Sequence, residues 1–233
     1  MKPSLTILLF FFFSLFLFSC AFAPINTQYE KAGTLKKGNL ELAGSFTGYS
    51  GSGLDGESGN INNNYGIRAG YGISDKFDLK FRYERLIPTN IFNSEDLGDG
   101  KIKGINYFSL VPKIALIPEK LSFLMPISHY SYKEEIDEKE SNVNLNSITP
   151  QLIYTFTNAK NKTDLSFGLK GDCLFGGDVA GSSFILGTTI GAGFSSDLSK
   201  WAIRPEIGVS ATGTATFLSY GIGFQFIIQK RKN

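Results

Sequence analysis

The chain has one histidine, one tryptophan, two cysteines and two methionines among its 233 residues. A single His excludes a metal site built from several histidines, and no motif for a metal or other cofactor is present. Two cysteines exclude a disulfide scaffold. The formal net charge is only +2, so nothing electrostatic points to nucleic acid as a partner. After the first twenty residues no stretch with helical periodicity lasts longer than a turn. What is plentiful is apolar and aromatic material, 42% and 14%, which excludes disorder, and 26 glycines, too few for a collagen-like chain.

The N-terminus reads as a targeting segment. Met1-Lys2 is a short basic start, and Leu5 to Phe18 is almost wholly apolar. That run is shorter than the ~20 residues of a spanning helix and fits a secretory signal. Two cleavage sites compete. Ala21-Phe22-Ala23 is small-x-small, but Pro24 follows at once and suits a protease poorly. Leu17-Phe18-Ser19-Cys20 resembles a bacterial lipoprotein box, with a bulky Phe18 at −2. The expectation is a lipoprotein-type signal over residues 1–19 and lipidation, with palmitate among the acyl chains, at Cys20. Its removal takes Lys2 and no acidic residue, leaving 214 residues with a net charge of +1. With Cys20 acylated, Cys173 has no partner for an internal disulfide and reads as a small hydrophobe on a strand.

Residues 20–37 hold Pro24, Asn26, Lys31, Lys36 and Lys37 without periodicity and read as a periplasmic tether. From Gly38 onward the pattern has period 2. Ten strands are expected, near 39–49, 61–73, from Phe77, 103–116, 121–130, 144–156, 163–174, 183–194, 201–210 and 217–229. The third is the plainest, with Phe77, Leu79, Phe81 and Tyr83 set against Asp78, Lys80, Arg82 and Glu84. Soluble strands run ~5–6 residues, whereas a tilted membrane strand needs ~9–11, and most of these reach the longer figure. Connections after even strands are short, at Ser74–Lys76, Ile117–Lys120, Thr157–Lys162 and Ser195–Lys200. Those after odd strands are longer, at Ser50–Asn60, Leu86–Ile102, Ser131–Val143 and Phe175–Ser182, with only Ala211–Thr216 brief. This is the asymmetry of an outer-membrane barrel with short periplasmic turns. An even strand count puts both termini on the periplasmic side, in agreement with a lipid anchor at the N-terminus.

A soluble barrel or sandwich would alternate too, with the apolar face hidden. Three features favour lipid against the apolar face. The polar face is rich in glycine, as at Gly66, Gly70, Gly72, Gly187, Gly221 and Gly223, which suits a narrow lumen better than a solvated surface. Aromatics Phe77, Phe156, Phe194, Trp201 and Phe226 sit on the apolar face beside the short turns, where an interfacial girdle belongs. The strands are of membrane length. One departure is the basic tail Gln229–Asn233, which follows where many such barrels end on an aromatic.

The features Ser19-Cys20, Gly72-Ile73-Ser74-Asp75-Lys76-Phe77-Asp78-Leu79, Leu121–Pro126 with the Tyr-rich end after it, and Trp201–Gly208 run through the whole mature chain. On these it resembles the small outer-membrane β-barrel proteins of the Bacteroidota, many of them lipoproteins. The resemblance implies architecture and Gram-negative outer-membrane location. It implies no activity.

The expected inward face carries Arg68, Asp78, Lys80, Arg82, Glu84, Asp164, Lys170, Asp172, Arg204 and Glu206. These ten form either a selectivity lining or a mixed-sign ion-pair network filling a narrow lumen; ten strands favour the filled kind. His129 and Ser131 share a strand face, and Glu134 or Glu135 could orient the His for acyl hydrolysis, as in lipid A deacylase barrels. Only that short pattern matches. The run Lys133–Glu140 reads as a solvated, mainly acidic loop tip rather than a cation or partner site. The expectation is therefore an all-β, antiparallel up-and-down transmembrane β-barrel of about ten strands over residues 38–233, without catalytic residues, metal or cofactor. Its partners would be outer-membrane lipid and the assembly and lipoprotein-processing machinery. The alternatives are a lipid-modifying hydrolase using His129 and Ser131, or a soluble surface-lipoprotein β-domain that binds glycans.

Overall fold

A computed structural model describes residues 25–52, 58–89, 101–136, 139–158, 160, 162–176, 183–212 and 215–230. The signal segment 1–19 and Cys20 lie outside the described residues. Twelve strand segments follow in order: β1 Leu40–Ser52, β2 Ser58–Ser74, β3 Phe77–Pro88, β4 Lys101–Ile117, β5 Leu121–Leu124, β6 Ile127–Ile136, β7 Lys139–Ile148, β8 Gln151–Asn158, β9 Thr163–Phe175, β10 Ser183–Phe194, β11 Trp201–Ala211 and β12 Thr216–Ile228.

These twelve segments build ten staves. β5 and β6 are one stave interrupted at Met125-Pro126, and both pair with β4. β7 and β8 are another, interrupted at Thr149-Pro150, and both pair with β9. Proline cannot donate to a ladder, so the pairing breaks there. Neighbouring amides bridge the gaps: Met125 N–H donates to the Pro112 carbonyl at 3.1 Å, and Thr149 N–H to that of Pro126 at 2.9 Å. All pairings are antiparallel. β1 lies against both β2 and β12, from Leu40↔Ile228 to Ser52↔Thr216, and this seam closes the sheet into a ten-strand barrel.

Closure leaves two surfaces, and alternation assigns the side chains to them. Leu79, Phe81, Leu152, Tyr154, Phe167 and Leu169 face outward; Ile67 and Phe156 are 63% and 62% exposed. Asp78, Lys80, Arg82 and Glu84, one residue out of phase, are buried inside. An apolar exterior over a polar interior is stable only in lipid. The girdle residues Phe156, Phe194 and Phe226 are exposed at the short-turn end, with Phe77 and Trp201 half-buried beside them.

The structure departs from the sequence expectation in two ways. The long connection expected over Ser131–Val143 is mostly strand: β6 and β7 continue as a hairpin from Ile127↔Ile148 to Ile136↔Lys139. Lys133 Nζ donates to Glu140 at 3.0 Å on this hairpin. Cross-strand pairing persists because hydrogen bonds need no apolar face. The larger correction concerns the tether. Residues 25–35 do not hang below the barrel; they run through its lumen, and Lys36 and Lys37 are exposed at its short-turn mouth. Ile25, Asn26, Thr27, Gln28, Tyr29, Glu30, Ala32 and Leu35 are all buried.

Candidate functional site

The site is the occupied lumen, and its direction is fixed by contacts along its length. Near the long-loop end, Ile25 packs with Leu86, Ile105, Tyr130, Leu174 and Ile185. Asn26 follows: its N–H donates to Tyr49 Oη at 2.8 Å, and its Nδ2 donates to the Thr188 carbonyl at 3.3 Å. At mid-barrel, Glu206 accepts the N–H groups of Gln28 and Tyr29 at 2.6 and 2.9 Å. Arg82 donates to the Thr27 carbonyl at 2.9 Å and Arg68 to that of Gln28 at 2.6 Å. Lower still, the Ala32 N–H donates to Thr155 Oγ1 at 2.7 Å, and the Leu35 N–H to Asp78 Oδ2 at 2.8 Å. Thr34 donates to the Asp75 carbonyl at the short turn. Gly38, at φ +84°, then reverses the chain into β1.

The backbone groups of an extended segment inside a barrel have no strand of their own to pair with. Buried and unpaired, each would carry a desolvation cost of about 1–3 kcal/mol. Here charged lumen side chains take the place of a neighbouring strand.

The lumen has three tiers. Under the long loops part of it is apolar, with the Tyr107 and Tyr130 rings tilted by 56° at 4.9 Å beside Ile25, while Asn62 and Asn64 are buried at the same level. The expectation of a polar lumen is corrected in that apolar part. Across the middle it is ionic. Glu30, from the threaded segment, accepts from Lys80 at 2.5 Å and Lys113 at 3.1 Å, and lies 3.5 Å from Arg68. Glu41 pairs with Arg68 at 2.7 Å and Lys80 at 3.0 Å. At the short-turn end a cavity of about 910 Å³ opens beneath Glu30, with Lys31, Lys36, Lys37 and Lys230 in its lining.

Each of the ten charged residues singled out from the sequence is buried inside the barrel. They are not brought together as one network. Arg82 pairs with Glu84 on its own strand, and Arg204 with Asp164 at 2.7 Å. Lys170 pairs with Asp172 at 3.0 Å and also donates to the Ile25 carbonyl. Asp78 and Glu206 bind backbone amides of the threaded segment. Sequence reasoning missed Glu30, Glu41 and Lys113. Glu41 was legible from its phase between Leu40 and Leu42. Glu30 had no periodic neighbours to give it away.

The inward glycines now acquire a reason. A Cβ on Gly223 would meet Tyr29 Cβ at 2.6 Å, one on Gly72 the Leu35 carbonyl oxygen at 2.6 Å, and one on Gly187 the Asn26 side chain at 2.5 Å. The wall is cut back where the segment lies against it.

His129 and Ser131 sit on the outward parity of β6. His129 Nδ1 lies 3.0 Å from Asn146 Oδ1 on the neighbouring β7. The Glu134 side chain lies outside the described residues. Among the described residues no group of three or more His, Cys, Asp or Glu could hold a metal ion.

No protein-family model matches the chain, and a search of curated proteins finds no match. Solved structures are similar to it in fold. The translocator domain of the autotransporter NalP from Neisseria meningitidis aligns at TM-score 0.55 and 11% identity, over 81% of this chain and 88% of that one. OprG from Pseudomonas aeruginosa aligns at TM-score 0.33 and 10% identity, over 86% and 100%. Ail from Yersinia pestis aligns at 0.37 and 10%, over 82% and 99%. The last two are too distant in geometry to carry an argument. A closed antiparallel barrel with an apolar exterior, short turns at one end and an interfacial aromatic girdle is the outer-membrane architecture; the chain is an outer-membrane β-barrel protein.

Proposed function

We propose that the protein is a lipid-anchored outer-membrane barrel of structural or interaction type, held shut by its own N-terminal segment. One observation carries this reading: residues 25–35 occupy the lumen and are bound through both backbone and side chains. A free channel would leave Glu206, Asp78 and Lys113 facing water. Here each of them binds the segment instead. The narrow-pore alternative requires the segment to leave.

Planar-bilayer recording tests the reading. The intact protein gives no large steady conductance, and a variant lacking residues 25–35 conducts. Equal, steady conductance from both would overturn it. The lipid anchor at Cys20 rests on the Leu17–Cys20 box and on the resemblance to Bacteroidota lipoproteins; fatty-acid labelling lost in Cys20→Ala is the expected result. No catalytic role is assigned to His129, whose neighbour is Asn146. Lipid A deacylated by the wild type and not by His129→Ala would reverse that.

A further inference from the structure

The direction of the threaded segment has a topological consequence. Both ends of the barrel sheet, Leu40 and Ile228, pair with each other at the short-turn end. On strand count alone, everything preceding β1 belongs on that side. The segment contradicts this, because it descends from the long-loop end: Ile25 packs with Leu86 and Ile185, whereas the Leu35 N–H binds Asp78. We propose that the mature N-terminus, including Cys20, emerges through the long-loop mouth and lies on the outer face of the membrane.

From Leu86 to Asp78 is eight residues along β3, about 27 Å at ~3.4 Å each. Five residues, Cys20 to Pro24, span at most about 18 Å fully extended. They are too short to run back to the short-turn side, and residues 26–30 are packed against the wall in the upper part of that route. In the other direction Leu86 is two residues from the strand end at Pro88, about 7 Å. Cys20 can therefore reach the long-loop mouth and cannot reach the short-turn mouth.

The wall is shaped for this path. Gly187 and Gly208 accommodate Asn26, Gly221 and Gly223 accommodate Tyr29, and Gly72 accommodates the backbone at Leu35 and Lys36. Where Cys20 is acylated, a statement that rests on the proposed lipid anchor, the order of assembly follows too. Acyl chains cannot be drawn through a lumen crossed by Arg68, Arg82, Lys80 and Glu206. The β1–β12 seam must close around a segment already in place.

The test uses the full chain with a short epitope inserted between Pro24 and Ile25, a position kept under either signal cleavage. A second epitope follows Lys230 in a separate variant. The N-terminal epitope is expected to bind antibody as strongly on intact cells as on lysed ones, and the C-terminal epitope only after lysis. An N-terminal epitope reached only after lysis overturns the proposal. Should the insertion block folding, Thr27→Cys with Thr47→Cys in a Cys173→Ser background reads the same path, since the Thr27 and Thr47 hydroxyls lie 3.2 Å apart. A disulfide in the folded barrel supports it, and its absence there overturns it. Fatty-acid labelling of the epitope variant separates the two claims: an unlabelled but surface-exposed N-terminus sinks the lipid anchor and leaves the threading intact.

Discussion

Glu30 is the residue on which the interior depends most. It sits on no strand, yet it is the shared acceptor for Lys80 and Lys113 and a close neighbour of Arg68. Removing one partner from a buried ionic cluster costs about 3–5 kcal/mol, because the remaining charges stay desolvated. Glu30→Gln is expected to lower the unfolding free energy of the barrel, read from urea unfolding, by an amount in that range. Glu119→Gln, which removes the half-exposed partner of Lys31 at 3.5 Å, is expected to cost less than about 1 kcal/mol. Equal effects would mean that the lumen is wet enough to screen its charges. Gly223 offers a second check. Val there would drive two methyl groups into Tyr29, so Gly223→Val is expected to displace the segment and raise bilayer conductance over wild type. Unchanged conductance in a folded Gly223→Val barrel would show that the contact is slack.

Among the elements, the staves divide into regular and interrupted ones. β3 alternates without a break from Phe77 to Ile87, and its outward residues meet lipid. An Arg at a midplane lipid-facing site costs roughly 2–4 kcal/mol, so Leu79→Arg and Phe167→Arg are expected to slow or block assembly, read as loss of the heat-modifiable band. Normal assembly of both would argue against a lipid-facing exterior. The interrupted staves were half legible. Pro126 and Pro150 announce a break in pairing, but period 2 does not say that the stave resumes beyond it. The pairing Ile127↔Ile148 lies just past both breaks and carries the hairpin on to Ile136↔Lys139. The threaded segment was illegible as an element. Period 2 arises where one face meets lipid and the other does not; residues 25–30 are buried in succession inside the barrel and show no period.

For the whole molecule, the segment and the barrel share one buried interior. Barrel lacking residues 25–35 is expected to conduct, and a synthetic peptide of residues 25–37 is expected to reduce that conductance, whereas the same peptide with Glu30→Lys is not. Indifference to both peptides would show that the lumen collapses once emptied. Ten staves, their lipid-facing phase and their burial of Arg68, Asp78, Lys80 and Glu206 were determined by the sequence alone, because alternation against two unlike solvents is a local property of each strand. Only the tertiary structure decided what fills the space the strands enclose. The partners of Glu30 are 50 and 83 residues away in sequence, on β3 and β4. No local pattern encodes a contact made across a lumen, where burial is supplied by the whole ring of staves at once.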